Sequence, residues 1–488
     1  MNHRILRIAI PAIVSNITVP LLGLIDLGIV GHLGAPAYIG AIAIGSMIFN
    51  LMYWLFAFVR MGTSGITSQA FGRRDLAEDA RILARSMWIS GAIALSLLLL
   101  QHPIRELAFL LMRPDVNIRP LATTYFNICI WGAPAVLGLS SLSGWYVGMQ
   151  NSRIPMLVAI AQNVVNIIVS LLLVFALGMK VEGVAWGTVI AQWCGFLVNL
   201  LLCTKYYGKV IRKLYVSSQN DQLTQKQCST LHASRSTPLA SRPSLHASHF
   251  TPHASRSTLH ASRSTLSHRW AGMMEALRAE GWVRPFFKVN AHIFIRTLFM
   301  VSVNVFFTSA GSWQGEMTLA VNSLLLQFLL LFSYFMDGFA YAGEALCGKY
   351  LGAHHRSLFV RAVRQLLLWG LLNVAFFTFV YGFFAEPLLG LLTNQTSVIA
   401  ASRPYQAWLM VVPVVGMLAF LWDGIYIGTT STRLMLESAI VATCVYFFVY
   451  FCFHSSWGNH ALWLAYSLFL LSRSTYQTVR YPRVLMKV

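Results

Sequence analysis

The chain has 488 residues, of which 57% are hydrophobic and only 11% charged, and its formal net charge is +20 at pH 7. Soluble globular domains carry about 25% charged residues, so this composition excludes an ordinary soluble protein and indicates a protein embedded in a membrane. Lys and Arg concentrate in short loops between apolar runs, a pattern that reflects membrane topology rather than nucleic-acid binding.

Apolar runs long enough to cross a bilayer recur along the chain, since about 20 residues span the hydrocarbon core as a helix. The runs lack the alternation of strands, so the sequence predicts an all-α integral membrane protein with twelve transmembrane helices. The predicted spans are 8–31, 41–66, 86–111, 121–148, 154–178, 183–205, 285–310, 318–346, 361–391, 400–428, 434–454 and 459–477.

The first span contains an acid, Asp26, within the apolar run "LLGLIDLGIV" (21–30), and Pro20 lies six residues before it. A charge at the centre of a membrane helix costs about 2.5–3.5 kcal/mol on insertion scales, so such residues mark ion or substrate pathways. A carboxyl group that is neutral in one shape of a cavity and ionised in another can carry a proton. Asp26 is therefore the candidate ion-coupling residue; the alternative is an aspartate that packs helices by bonding to Ser or Asn.

The fifth and sixth spans carry polar side chains on apolar helices. Asn163, Asn166 and Ser170 are three and four residues apart, so they form one stripe, and Thr188 enters the sixth span. These four residues are candidates for lining a substrate cavity. Interhelical contacts without further function would produce the same pattern.

Five further ionisable residues lie inside predicted spans and are secondary candidates: Arg60, Arg296, Asp337, Glu344 and Asp423. Arg60 and Glu344 are nearer span ends, where they could reach the interface or pair structurally. Arg296 could be a structural partner of Asp337, or each could bond backbone carbonyls. Asp423 lies in the Gly-flanked, turn-like "WDGIYIG", where a capping or packing role competes with a functional one.

A polar insert separates the sixth and seventh spans. Residues 232–266 form five tandem heptapeptides of the type HASRSTL. They have no apolar seam for a coiled coil, and their composition cannot bury enough surface to order the chain. Their histidines have nothing to preorganise them, so no metal site is predicted. Ten Lys or Arg against one acid between Lys205 and Trp270 favour contact with anionic lipid headgroups.

The two halves of the chain repeat with an offset of 280 residues. "AFGRRD" (70–75) corresponds to "YLGAHH" (350–355), "SGWYVGMQNSR" (143–153) to "DGIYIGTTSTR" (423–433), and "VGHL" (30–33) to "AGSW" (310–313). Each half has six spans, so the copies have the same orientation. The sequence therefore predicts two six-helix bundles related by a pseudo-two-fold axis along the membrane normal, as in transporters that rock around a central cavity. Phe306 is the repeat counterpart of Asp26, so the second half lacks this acid.

These patterns define the expected domains and topology. An N-terminal bundle covers 1–208, a linker with a short interfacial helix covers 209–283, a C-terminal bundle covers 284–480, and a tail covers 481–488. Basic residues occupy alternate loops, so both termini and the linker are expected in the cytoplasm. Enzyme motifs such as H-E-x-x-H, a nucleophile elbow or a phosphate loop do not occur, so neither catalysis nor a cofactor is predicted. A membrane-embedded transferase is the alternative outside the transporter class.

Five stretches resemble the multidrug and toxic compound extrusion (MATE) transporters, and most closely their DinF-type branch: "DLGIVGHLG" (26–34), "RMGTSGITSQAFGRRD" (60–75), "NIIVSLLLVFALGMKVEGVAWGT" (166–188), "SYFMDGFAYAGEALCGKYLG" (333–352) and "WDGIYIGTTSTR" (422–433). The resemblance implies a twelve-helix antiporter of the bacterial inner membrane. Such a protein exports organic, often cationic or amphipathic, compounds by using inward proton or sodium flow. Its partners would be small organic substrates and membrane lipids, and we expect a monomer.

The resemblance also implies roles for particular residues. Asp26 matches the coupling carboxylate of the family, and Asn166 and Thr188 match polar positions of its amino-terminal cavity. Ser170 stands where some members have a second carboxylate, which favours protons over sodium as the coupling ion. Asp423 matches an acid that some members use in the second half. A lipid-linked precursor flippase of the same superfamily is the alternative, and it would need a larger and more cationic central cavity.

Overall fold

The computed structural model describes residues 1–31, 36–112, 115–233, 283–393 and 395–488, and the regular structure in these ranges is entirely helical. Helices satisfy every backbone hydrogen bond within one segment, which the interior of a bilayer requires. The first half contains α1 (Asn2–Gly31), α2 (Pro36–Leu55), α3 (Phe58–Arg73), α4 (Leu76–Leu99), α5 (Gln101–Met112), α6 (Arg119–Cys129), α7 (Ala133–Gly148), α8 (Arg153–Leu171) and α9 (Val181–Ala233). The second half contains α10 (Val283–Trp313), α11 (Glu316–Gly352), α12 (Arg356–Leu392), α13 (Thr396–Ser402), α14 (Gln406–Gly428), α15 (Thr432–Trp457) and α16 (Asn459–Leu485).

Each of the twelve predicted spans falls on one of these helices or on a consecutive pair of them, which confirms the predicted fold class. Within the described ranges, ten helical segments are long and apolar enough to cross a membrane. The helices α1 and α16 supply the two other predicted spans, the first and the last. The protein is therefore a helical, multi-pass membrane protein.

Several boundaries differ from the predicted ones. The third span was predicted at 86–111, but its long helix, α4, covers Leu76–Leu99, and α5 is separate. The Asp75 carboxylate caps α4 by accepting a hydrogen bond from the Glu78 backbone N–H at 2.9 Å, which fixes the earlier start. The sixth span continues as helix to Ala233, beyond its predicted end at 205. The heptapeptides from residue 234 onward and the predicted interfacial helix lie outside the described residues.

The predicted repeat extends to unusual backbone conformations. Among the described residues, four that are not glycine have positive φ: Arg74 (61°) and His354 (53°), and Gln150 (65°) and Thr430 (49°). Non-glycine residues adopt this region rarely. The members of each pair are 280 residues apart, so the two halves share their tightest turns as well as their helices.

The two halves contact each other at the end that carries these turns. A Cβ atom added to Gly72 would lie 2.1 Å from the Lys349 carbonyl oxygen, and one added to Gly352 would lie 2.1 Å from the Gln69 carbonyl oxygen. The contacts are reciprocal, because each partner is the repeat counterpart of the other. The Gln69 amide also donates to the Gly428 carbonyl at 2.8 Å, across the same boundary. Only glycine permits backbones to approach so closely.

Helix α1 belongs to both halves. Its early residues Ile5, Ile8 and Ala9 are buried in the main core of the second half. Further along, α1 packs against α8 of the first half and along α11 of the second. The first helix therefore lies between the two bundles.

Candidate functional site

Asp26 lies on the later part of α1, which is helical from Asn2 to Gly31 and continues through Pro20. The side chains of Asp26 and Pro20 lie outside the described residues. Two hydrogen bonds hold the preceding part of the helix to both halves. The Asn163 amide donates to the Thr18 carbonyl at 3.1 Å, and the Asn16 amide donates to the Tyr334 carbonyl at 3.4 Å. Thr18 is eight residues, or about 12 Å along a helix axis, before Asp26.

Three of the four predicted polar candidates meet between α8 and α9. The Asn166 amide donates to the Thr188 hydroxyl at 3.1 Å, and the Ser170 hydroxyl donates to Asn166 Oδ1 at 3.5 Å. Asn166 and Ser170 are fully buried. Gly187 permits this contact, since a Cβ atom there would lie 2.2 Å from Ser170 Oγ. We call Asn166, Ser170 and Thr188 the polar triad.

Asn163 lies on α8 with Asn166 and Ser170, but it bonds to α1 instead. The stripe predicted from spacing therefore has two parts: the triad joins α8 to α9, and Asn163 joins α8 to the helix of Asp26. Both parts consist of neutral groups, which can bond either to each other or to a neighbouring carboxyl group. The polar side of α8 is thus directed at two neighbouring helices.

The secondary candidates of the second half gather around Asp423. Its carboxylate accepts hydrogen bonds from Arg296, from Arg473 Nη2 at 2.5 Å and from Gln477 Nε2 at 2.9 Å. Arg296 is 7% exposed and Arg473 is 1% exposed. Buried charges persist when they are paired and hydrogen-bonded. These four residues form what we call the Asp423 cluster.

The cluster corrects two expectations from the sequence. Arg296 was considered as a partner of Asp337, but its ion pair is with Asp423. Asp423 was placed in a turn-like segment, but it lies inside α14, which continues to Gly428. The glycines around Asp423 serve close packing, since a Cβ atom at Gly424 would lie 2.1 Å from the Ala340 carbonyl oxygen on α11.

The Asp423 cluster lies within the second half, whereas a separate ion pair joins the two halves. Arg60 on α3 forms an ion pair with Glu344 on α11 at 3.4 Å, and its guanidinium carbon lies 4.2 Å from the centre of the Tyr341 ring. Of the two alternatives that the sequence left open for these residues, interfacial exposure or structural pairing, the ion pair corresponds to the second. Asp337 lies on the same helix and makes no hydrogen bond or ion pair with any residue that the structure describes.

The sequence interpretation missed Arg473 and Gln477. Arg473 lies within the predicted last span, 459–477, so its charge was a visible signal. Gln477 follows four residues later, one turn along the same helix face. Arg473 lies four residues before the predicted end of that span. The helix continues to Leu485, so it lies well inside.

Comparisons with known proteins identify related sequences and a related fold. The MatE family model matches residues 11–172 and 293–451. DNA damage-inducible protein F of Escherichia coli is 30% identical over 468 residues, covering 96% of this chain and 89% of that protein. Protein DETOXIFICATION 44 of Arabidopsis thaliana is 22% identical and covers 97% and 81% of the two chains. Among solved structures, the bent form of the Vibrio cholerae MATE transporter VcmN has a TM-score of 0.74 at 15% identity, covering 99% of this chain and 97% of that one. At this identity the solved structure shows the fold alone.

Proposed function

Because the chain belongs to the MatE family of multidrug and toxin extrusion transporters, we propose that it is a proton-coupled antiporter that exports organic, often cationic or amphipathic, compounds by alternating access. Similar proteins named multidrug and toxin extrusion protein 2 in Mus musculus and probable multidrug resistance protein NorM in Synechococcus support the export of varied compounds. We place the protein in the bacterial inner membrane as a monomer, with both termini and the 209–283 linker in the cytoplasm. In this proposal it needs no cofactor beyond its coupling ion.

The position of α1 carries the proposal. The helix that bears Asp26 contacts α8 of the first half and α11 of the second, so a change of charge on it acts where the two bundles meet. A carboxyl group there is ionised when the cavity is wet and neutral when it closes, because desolvation disfavours the charged form. Proton binding at Asp26 would therefore be linked to the conformation of the transporter.

The composition of the polar triad favours the proton over sodium as the coupling ion. It consists of an amide and two hydroxyl groups, and Asn166 Oδ1 and Thr188 Oγ1 already accept hydrogen bonds within it. Hard cations prefer several oxygen ligands, with carboxylates among them. Ser170 provides a hydroxyl where some members of the family have a second carboxylate, which leaves a single acid, suited to one proton.

The coupling role is tested with Asp26→Asn in inverted membrane vesicles. The change removes the titrating group while preserving shape, so efflux driven by a pH gradient should fall to background with expression unchanged. Asp115→Asn is the matched control, because Asp115 is exposed and outside the predicted spans. Substituting a sodium gradient for the pH gradient should drive no efflux in the wild type. Proton-driven efflux that persists in Asp26→Asn would show that Asp26 is not the coupling residue.

One observation bears on the flippase alternative. A lipid-linked precursor carries phosphates and would need unpaired cations in the cavity, and Arg473 adds to Arg60 and Arg296. Each of these guanidinium groups already donates to a carboxylate, however: Arg60 to Glu344, and Arg296 and Arg473 both to the one carboxylate of Asp423. This pairing favours an exporter of organic compounds over a flippase of phosphorylated lipids.

A further inference from the structure

A groove of about 620 Å³ lies on the outer face of the second half, between α15 and α16. Val441 of α15 and Leu471 and Val479 of α16 form its apolar walls, and they are 42%, 42% and 68% exposed. The volume falls within the range of about 300–1,000 Å³ that is typical of ligand-binding clefts. In a membrane-spanning bundle, such an outward apolar groove faces acyl chains.

One end of the groove carries a cation that has no ion-pair partner among the described residues. Arg480 lines the groove beside Tyr476 and Thr475, and its guanidinium carbon lies 5.3 Å from the centre of the Tyr476 ring. Arg480 makes no ion pair or hydrogen bond with any other described residue. Its guanidinium donors are therefore available to a ligand that reaches this end of the groove.

The neighbouring acid does not neutralise Arg480. Glu437 of α15 lies within electrostatic range, but one of its oxygens accepts from Arg433 at 3.0 Å and the other from the Tyr476 hydroxyl at 2.9 Å. Arg483, one turn further along α16, is also exposed. The net charge of the side chains is thus positive at the end of the groove nearest the last helical turn of α16.

We propose that the groove between α15 and α16 binds one anionic phospholipid, with an acyl chain along Val441, Leu471 and Val479 and the phosphate on Arg480. Guanidinium groups bind phosphate oxygens in a bidentate manner, which suits a single unpaired arginine beside an apolar groove. Basic pockets between transmembrane helices recognise anionic headgroups by this chemistry. The site is separate from the Asp423 cluster and the polar triad, so it does not depend on the transport proposal.

The test measures lipid binding to the purified full chain in detergent by native mass spectrometry. Dioleoyl phosphatidylglycerol and dioleoyl phosphatidylcholine are titrated separately. Glycerol 3-phosphate, which has the phosphate but no acyl chain, is titrated to determine whether the site binds a free phosphate as well as it binds a lipid. We expect the anionic lipid to bind about tenfold more tightly than the zwitterionic one, as charge-assisted contacts to one phosphate allow. Arg480→Gln should remove this preference, and Arg480→Lys should retain part of it because the charge remains.

Two further variants separate the groove from general surface charge. Arg483→Gln is the matched control, since it removes a neighbouring charge outside the groove lining, and it should leave the preference within about twofold. Ser472→Trp fills the groove and should weaken both lipids together. Equal affinities of the wild type for the two lipids, or an equal loss in Arg480→Gln and Arg483→Gln, would overturn the proposal. So would glycerol 3-phosphate binding as tightly as the lipid, or a second copy of the chain occupying the face.

Discussion

Asp423 draws its partners from two helices that are remote from each other in sequence. Arg296 comes from α10, and Arg473 and Gln477 come from α16, so the cluster joins both helices to α14. Two guanidinium groups share one carboxylate, which leaves the cluster with a net positive charge. Each arginine depends on the same acid, because both are nearly inaccessible to water.

Because both arginines depend on Asp423, replacing the acid should destabilise the protein more than replacing Arg473. Asp423→Asn leaves two buried guanidinium groups without their carboxylate and should destabilise the protein by about 3–5 kcal/mol. Arg473→Met leaves the Arg296 pair in place and should cost less. Thermal unfolding of the purified variants in detergent measures both.

The control is Glu386→Gln, which breaks an exposed ion pair with Arg403 and should cost roughly 0–1 kcal/mol. A larger loss in Arg473→Met than in Asp423→Asn would contradict the view that the carboxylate holds the cluster together.

Individual charges could be found from the sequence, but their partners could not. A charge such as Arg60 or Asp337 is conspicuous in an apolar run, and its position alone marks it as a candidate. Pairing depends on which helices are neighbours, and 127 residues separate Arg296 from Asp423. Composition carries no information about that contact, so neither alternative left open for Arg296, pairing with Asp337 or bonding to backbone carbonyls, included Asp423.

At the scale of single helices, α8 and α9 are joined by a close approach at Gly187. Because Gly187 has no side chain, Ser170 packs directly against the backbone of α9 and lies within hydrogen-bonding distance of Asn166 in the polar triad. Helix association in membranes commonly uses such small residues, with polar groups bonded beside them. Spacing along α8 predicted one polar stripe, but only the packing of α1 and α9 on either side divides it into two.

A double-mutant cycle tests this contact. Gly187→Ala places a Cβ atom 2.2 Å from Ser170 Oγ, so α8 and α9 must separate, and we expect a loss of about 1–3 kcal/mol. Ser170→Ala removes the clashing oxygen, so the double variant should recover part of the loss as a measurable coupling energy. Thermal unfolding of all four proteins provides the comparison. Strictly additive losses would show that the clash is not the cause.

Across the whole molecule, the repeat predicted the architecture better than it predicted the chemistry. The offset of 280 residues holds for the helices and for the positive-φ turns, because both halves must build the same backbone. The charged candidates inside the spans do not follow it: the counterpart of Arg60 is Ala340, and that of Asp423 is Ser143. Backbone geometry is shared between the halves, whereas each functional candidate belongs to one half.

The contact between the halves can be tested at Gly72 and Gly352. Gly72→Ala should force the halves apart by about 1 Å or more, since the new Cβ atom would lie 2.1 Å from a backbone oxygen that cannot rotate away. Spin labels at residues 73 and 355, on a cysteine-free background, should then report a longer and broader distance distribution. Gly352→Ala should have the same effect because the contact is reciprocal.

Gly91→Ala is the control for both, since nothing lies within 4 Å of the added atom. An unchanged distance distribution in Gly72→Ala and Gly352→Ala would mean that the close contacts at these glycines do not determine the separation of the two halves.

The reciprocal glycine contact has the geometry of an isologous dimer interface. Each half presents a surface that fits its own copy, as the two subunits of a two-fold homodimer do. The covalent chain thus contains, between its halves, the kind of interface through which a six-helix protein of half this length would pair with itself. An ancestor with one copy of the repeat would have needed no new surface to assemble, and fusion of two copies would then have freed each half to acquire charges that the other lacks.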